Sequence, residues 1–323
     1  MLSLVIPVYR NAESIPRLFQ ELEHLAAGLT DDLEVVFVVD GSPDASLQML
    51  QDRLPLWPVR SRLVELARNF GSFAAIAAGL REGEGDYFAV LAADMQEPPE
   101  LVAQFLQLMQ SGQADVTFGH RVARADPFWS RVLSDSFWAV YRRYVVKDMP
   151  KGGVDVFGCT RQVRDHLATF RELNTNLVAL LLWLGFRRAF VPYARRPRLE
   201  GKSAWTFGRK LRYAVDSVFS FTDLPIRALL LMGAVGTTAA VVASLTVFVY
   251  WLLGRVPVLG YTPLMLMITF FGGLTALGLG IVGQYLWLSL QSSRGRPNFI
   301  VKATWTFAGA SANTRPTNPV PRI

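Results

Sequence analysis

The segment Leu91-Ala92-Ala93-Asp94-Met95-Gln96-Glu97-Pro98-Pro99-Glu100 holds the residue types best suited to chemistry in this 323-residue chain. A carboxylate at the end of a buried strand, two residues before an amide oxygen, can hold a hard divalent cation against a diphosphate. Mg2+ takes one or two protein oxygens and completes its shell with phosphate and water. Taken alone, the same residues suit equally well a turn before a helix whose first turn carries Pro98 and Pro99. Three further segments, Pro7-Val8-Tyr9, Asp40-Gly41-Ser42 and Gly119-His120-Arg121, also follow apolar runs, and in their company the metal reading prevails. Two other chemistries lack support. The three histidines, His24, His120 and His166, have no metal-ligand spacing, and no Gly-x-Ser-x-Gly nucleophile turn is present.

These segments need a scaffold that brings strand ends together. Short β-branched runs at Leu2–Val8, Leu33–Val39, Arg62–Leu66, Tyr87–Ala92 and Asp115–Phe118 alternate with helical patterns at about Ser14–Leu29, Pro43–Arg53, Ser72–Glu82 and Pro99–Ser111. Such alternation predicts an α/β domain with right-handed crossovers around a mostly parallel sheet, and ligands at the C-terminal strand edge. The motif Gly278-Leu279-Gly280-Ile281-Val282-Gly283 fits the dinucleotide fingerprint in letters only. It lies in a long apolar stretch with no acidic residue after it, so it reads as helix packing.

Charge divides the chain. No Asp or Glu follows Asp223, whereas seven Lys and Arg do, so the formal excess of +7 lies in the last hundred residues. A basic balance of this kind points to membrane flanks and away from nucleic acid. Ala228–Gly254 and Val256–Ser293 carry no charged side chain, and each exceeds the roughly 20 helical residues that span a bilayer. Arg187, Arg188, Arg195, Arg196, Arg198, Lys202, Arg209, Lys210 and Arg212 precede the first stretch, and only Arg255 separates the two. The positive-inside rule then predicts a hairpin in the inner (plasma) membrane with the large domain cytoplasmic. Gly272, Ala276 and Gly280 recur every fourth residue, a stripe that lets helices approach closely and leaves room for homo-oligomer contact through the spans. Trp205–Thr222 has Phe207, Leu211, Val215, Val218 and Phe221 at helical spacing, as an interface helix would. The expected order is a catalytic domain over 1–204, the amphipathic helix over 205–223, spans at about 228–254 and 262–288 within 224–293, and a partly disordered cytoplasmic tail over 294–323. The single cysteine, Cys159, excludes an internal disulfide and suits a reducing compartment.

Six segments in this order, Val5-Ile6-Pro7-Val8-Tyr9, Val39-Asp40-Gly41-Ser42, Ala93-Asp94-Met95-Gln96-Glu97-Pro98-Pro99, Gly119-His120-Arg121, Gly152-Gly153-Val154-Asp155 and Arg198-Leu199-Glu200-Gly201-Lys202-Ser203, ahead of two spans, resemble the polyprenyl-phosphate glycosyltransferases of glycosyltransferase family 2. That resemblance covers about residues 2–302. It implies a GT-A fold and an inverting transfer of one sugar from a nucleotide sugar, UDP-glucose-like or GDP-mannose-like, to a polyprenyl phosphate.

Carried over by position, Pro7, Tyr9, Glu13, Val38 and Asp40 would line the nucleoside pocket, with Ala93 beside it. Asp94 and Gln96 would hold Mg2+ or Mn2+, and Arg121, Arg198 and Lys202 would add positive charge near the phosphates. Asp155 matches the family's candidate base. A lipid phosphate is already ionised near neutral pH, so Asp155 is read as orienting the acceptor. Two departures stand out: Val39 replaces the first of two usual acidic residues, and both Asn11 and Glu13 are candidates for an acidic pocket position. Two other functions share these features, a processive polysaccharide synthase and an inactive homologue that binds nucleotide sugar or lipid as a scaffold. The absence of a Gln-x-x-Arg-Trp signature argues against the first.

Overall fold

Continuous apolar runs make the centre of the sheet. In the computed structural model, which describes residues 1–29, 32–121, 150, 154, 156–170, 177–196, 224–253 and 260–309, strand β1 (Leu2–Val8) and strand β2 (Leu33–Val39) are buried along nearly their whole length. Both faces are covered, as in a parallel sheet flanked by helices. Strands β3 (Arg60–Leu66) and β4 (Tyr87–Val90) extend it on either side, and β4-β1-β2-β3 are all parallel. The crossovers are helices α1 (Ile15–Gly28), α2 (Ser46–Arg53) and α3 (Ser72–Glu82). Phe19 of α1 stacks on Phe37 of β2 at 5.7 Å between ring centroids, with the Trp57 edge against Phe19 at 4.9 Å. These rings centre the larger apolar core.

The flanks depart from the expected parallel pattern. After α4 (Glu100–Gln110) come β5 (Val116–Arg121) and β6 (Val156–Thr160), and β6 runs antiparallel to both β4 and β5. Helices α5 (Arg161–Thr169) and α6 (Leu177–Trp183) lead to β7 (Arg188–Tyr193), which pairs in parallel with β5. Cys159 is buried within β6, and that burial pushes its thiol up to about 12, so it is neutral and inert. A last strand, β8 (Val301–Phe307), pairs antiparallel with β3, and the order across the mixed sheet is β7-β5-β6-β4-β1-β2-β3-β8. Residues 301–307 were expected in a tail. Instead Trp305 and Phe307 pack against the apolar core, and Lys302 Nζ meets Glu65 Oε1 at 2.6 Å.

The chain divides into two units, Met1–Phe207 with Pro297–Ile323, and Gly208–Arg296. The second contains helices α7 (Leu224–Leu252) and α8 (Tyr261–Ser293), both long and apolar enough to cross a membrane by length and composition. Their own close approach does not use the expected Gly272–Ala276–Gly280 stripe. A Cβ on Gly236 would sit 3.3 Å from Phe271 and one on Gly278 3.2 Å from Leu229, whereas Gly272 and Gly280 have nothing within 4 Å. The expected interface helix over 205–223 and the tail beyond Gly309 lie outside the described residues.

Candidate active site

All strands that run parallel to β1 end at one sheet edge, and the loops leaving them carry the candidate side chains. After β1 and β2 the loops are laced together. Arg10 N–H donates to Ser42 Oγ at 2.8 Å, Asn11 N–H to Ser46 Oγ at 3.2 Å, and Ala12 N–H to Asp44 Oδ2 at 3.0 Å. Ser42 Oγ in turn donates to Asp44 Oδ1 at 2.5 Å. Burial opposes the Asp44 charge, but the hydroxyls of Ser42 and Ser46 and the N–H groups of Ala12 and Ser46 outweigh it and hold the carboxyl below its ordinary range. Side chains here take the place of a backbone ladder and tie the two loops to each other.

Asp40 joins a third loop to these two. Its carboxylate is 3% exposed; Oδ1 accepts Phe70 N–H at 2.7 Å and Oδ2 accepts Gly71 N–H at 2.9 Å. Burial raises its pKa above the usual carboxylate range, and those two amides with the Arg68 guanidinium offset part of the rise. The neighbouring Gly41 has φ +57, and a Cβ there would lie 2.4 Å from both Arg68 C and Asn69 N. Only glycine allows backbone to meet backbone at that point.

The loop after β4 holds the sharpest candidates. Asp94 Oδ1 accepts Gln96 N–H at 3.4 Å, and Met95 between them has φ 51, a left-handed conformation unusual for a side chain of its size. Its side chain is buried, and that packing holds the strained turn in place. Gln96 Oε1 accepts a hydrogen bond from Arg195 Nη2 at 2.6 Å, and Gln96 O accepts Arg196 N–H at 2.8 Å. Arg195 Nε lies 3.6 Å from Glu97 Oε1, a carboxylate only 1% exposed. The three residues that follow β7 are thereby laid along the Asp94–Glu97 turn.

Other expected residues fall where strand-end logic puts them. Pro7 and Val38 are register partners across β1 and β2. Ala93 is buried, and Arg121 ends β5 opposite Tyr193 of β7. Tyr9 N–H donates to Asn11 Oδ1 at 3.0 Å, and Asn11 Nδ2 to Ser14 Oγ at 3.3 Å, so Asn11 shapes its own loop while Glu13 is exposed. Asp155, Arg198 and Lys202 lie outside the described residues.

Sequence reasoning missed Arg195, Phe70 and Gly71. It counted Arg187, Arg195 and Arg196 among cations flanking a membrane span; in the structure each also has a carboxylate partner. Arg187 forms a two-pronged pair with Asp115 at 2.8 and 2.9 Å, Arg195 meets Glu97, and Arg196 meets Glu21 at 3.3 Å and Glu100 at 3.5 Å. The hydrogen bonds from Arg187 hold the Asp115 carboxyl below its usual range. The available signal for Phe70 and Gly71 was position, since they follow β3 at the edge where ligands bind; Arg195 follows β7, a strand that the sequence pattern does not show.

The family model for glycosyl transferase family 2 matches residues 3–177. An uncharacterized glycosyltransferase of Synechocystis is 30% identical over 305 residues, 94% of this chain and 95% of that protein. The bactoprenol glucosyl transferase of Shigella phage SfV is 26% identical, covering 93% of this chain and 98% of its own. Among solved structures, the Pyrobaculum calidifontis mannosyltransferase in complex with GDP-Man and Mn2+ is 15% identical, covering 88% of this chain and 87% of that one at a TM-score of 0.46. The family match spans more than half of the sequence and the Synechocystis relative nearly all of it, so this chain belongs to glycosyl transferase family 2.

Proposed function

We propose that the chain transfers one sugar, with inversion, from a nucleotide-sugar donor to a polyprenyl phosphate at the cytoplasmic face of a membrane. The observation that carries this reading is the convergence of Asp94 and Gln96 with a guanidinium at the C-terminal sheet edge of a family 2 chain. Bactoprenol glucosyl transferases of Shigella phages and a prophage homologue of Escherichia coli align over 93% of the chain, which supports the lipid acceptor. UDP-glucose-like and GDP-mannose-like donors both fit the reading.

The donor set at Asp94 and Gln96 suits a hard divalent cation, since both offer oxygen and the Gln96 oxygen already attracts a positive charge. Among the described residues no three His, Cys, Asp or Glu side chains converge, so Mg2+ or Mn2+ would complete its shell with diphosphate and water. Once bound, the ion would supply charge neutralisation for the departing nucleoside diphosphate. Pro7, Tyr9, Glu13, Val38 and Asp40 line the nucleoside pocket with Ala93, and Arg121, Arg198 and Lys202 bring positive charge to the phosphates. Asp155 orients the acceptor. An oxygen of the lipid phosphate attacks the anomeric carbon as the bond from that carbon to the β-phosphate oxygen breaks on the opposite face. The attacking oxygen is anionic near pH 7, so no proton has to move.

Helices α7 and α8 anchor the enzyme, with the amphipathic sequence of 205–223 suited to the interface. Strand β8 follows α8 and pairs in the same sheet as β1–β7, which supports an even number of crossings. Arg294, Arg296 and Lys302 after α8, against Arg255 alone between the helices, favour the cytoplasmic side for the domain. The rival reading, a homologue that binds without transfer, starts from Val39; yet Val39 is 1% exposed within the apolar core, where it serves packing. The test is the full chain in detergent with Mn2+, polyprenyl phosphate, UDP-glucose, other UDP-sugars and GDP-mannose, with products read by mass. One sugar per lipid is expected. A polymer, or donor binding with no lipid-linked product, overturns the proposal.

A further inference from the structure

Arg195 stands where a metal would compete with it. Its guanidinium fork is divided: Nη2 donates to Gln96 Oε1 at 2.6 Å, and Nε lies 3.6 Å from Glu97 Oε1. The two ends of that fork are not equivalent. Glu97 is almost wholly buried and charged, so its attraction for the guanidinium is screened little by water. Gln96 is neutral, so its amide oxygen gives up a guanidinium more readily than Glu97 does. The backbone reinforces the arrangement, since Gln96 O accepts Arg196 N–H at 2.8 Å and keeps the segment after β7 against the turn after β4.

Resting on the function proposed above, we infer that Arg195 is a positioning residue that occupies the Gln96 oxygen in the metal-free protein and turns to the donor diphosphate when a divalent cation takes that oxygen. Glu97 is the pivot. It keeps Nε in place while Nη2 changes partner, so the positive charge stays beside the turn in both states. Before the cation arrives, Arg195 neutralises the oxygen-rich turn and keeps Gln96 in the orientation the ion needs. Afterwards its freed N–H groups match phosphate oxygens in the forked geometry that guanidinium favours. The device makes metal and diphosphate arrive as a pair: the ion alone must displace a cation, and the ion with a diphosphate gives that cation somewhere to go.

This inference makes a prediction of opposite signs that a merely structural role does not. In the full chain in detergent, Arg195→Gln removes the competitor, so Mn2+ alone, followed by electron paramagnetic resonance, binds at least about threefold tighter. The same variant loses a charge-assisted phosphate contact, so UDP and GDP, titrated calorimetrically in saturating Mn2+, bind about tenfold or more weaker. Because Arg195→Gln takes a positive charge away from the buried Glu97, Arg195→Lys is measured beside it. One ammonium sits on Glu97 without also reaching Gln96, so the same two opposite changes are expected at smaller size. Wild type that binds Mn2+ and a nucleoside diphosphate, with variants whose two affinities move in the same direction or do not move, overturns the role of Arg195 and leaves the proposed function standing. Wild type that binds neither Mn2+ nor either nucleotide overturns the proposed function and this inference together.

Discussion

The two edges of the sheet are both polar, and they use polarity differently. At the N-terminal edge, charges face other charges. Glu34, fully buried near the start of β2, accepts Ser3 Oγ at 2.6 Å, Glu84 N–H at 2.9 Å and Arg62 Nη2 at 3.4 Å. Arg62 also reaches Glu84 at 2.7 Å, Arg60 pairs with the same carboxylate, and Arg161 pairs with Asp86 at 3.3 Å. These hydrogen bonds and nearby guanidinium charges, led by the bond from Arg62, hold Glu84 below its usual carboxylate range. At the C-terminal edge, by contrast, Asp40 and Asp44 accept backbone N–H groups from neighbouring loops, and Arg195 is shared between the Glu97 carboxylate and a neutral amide. Mutually neutralised charges stabilise a fold and offer little to a ligand. Carboxylates that hold loops, next to a cation shared with a neutral amide, build a platform on which something else can bind.

The largest expected break in that contrast is at the C-terminal edge. Asp94→Asn keeps shape and removes the anionic member of the proposed metal-holding pair, so sugar transfer should fall by about 10²-fold or more, on the scale of one preorganised electrostatic contact. Melting temperature should barely move. Near-normal turnover, or full turnover in excess chelator, would show that the turn does no electrostatic work and that the two edges are alike.

The mirror experiment is Glu34→Gln at the N-terminal edge. It leaves Ser3, Arg62 and the Glu84 amide facing a weaker acceptor in a buried site, a loss of about 2 kcal/mol typical of hydrogen bonds to a charged group. Thermal unfolding should report that loss, while kcat and KM measured well below the melting temperature stay at wild-type values. A kinetic defect in a folded Glu34→Gln protein would mean that the N-terminal edge communicates with the site.

Gly41→Ala tests whether the platform has to be rigid. The added Cβ adopts a left-handed backbone, worth about 1–2 kcal/mol, and pushes on the Arg68–Asn69 peptide. Nucleotide affinity should weaken by a few fold more than stability alone explains, because the loop that Asp40 holds is displaced. Binding that tracks stability only would make the clamp an ordinary structural feature.

How much of this contrast could be read from the sequence depends on the range of the contact. Strands β1 and β2 and helix α3 begin and end where apolar run length and turn residues put them. Asp40, Asp94 and Gln96 are legible as candidates because they follow such runs. β6 and β7 were not read, since Val156–Thr160 is five residues with a central glycine and Arg188–Tyr193 contains a proline. β8 was legible in principle. Val301, Ala303, Trp305 and Phe307 alternate with Lys302, Thr304 and Thr306, yet the segment lies beyond two apolar helices, where polar composition suggests a tail. The partners are another matter. Arg195 meets Gln96 across 99 positions and Phe70 meets Asp40 across 30, and neither bond leaves a local pattern, because one partner is a backbone amide or a lone arginine among many.

The smallest expected effect separates two carboxylates within the C-terminal edge itself. Asp44 has a folded pKa below its unfolded value, so its ionised form contributes stability that is fully present above the unfolded pKa and is lost as pH falls through the folded one. Asp40 has the reverse sign: its folded pKa is raised, first by burial, so ionisation opposes folding at neutral pH and that opposition is relieved as pH falls through the raised value toward the unfolded one. Asn at either position does not titrate and serves as the reference. The difference in melting temperature between wild type and Asp44→Asn should therefore be greatest near pH 7 and shrink below about pH 4, the ordinary carboxylate range. The difference between wild type and Asp40→Asn should instead shift in favour of wild type over the same descent, on top of a constant offset for the weaker acceptor facing Phe70 and Gly71. Two curves of the same slope would mean that burial does not dominate at Asp40, and that its hold on the β3–α3 loop is carried by charge, as at Asp44.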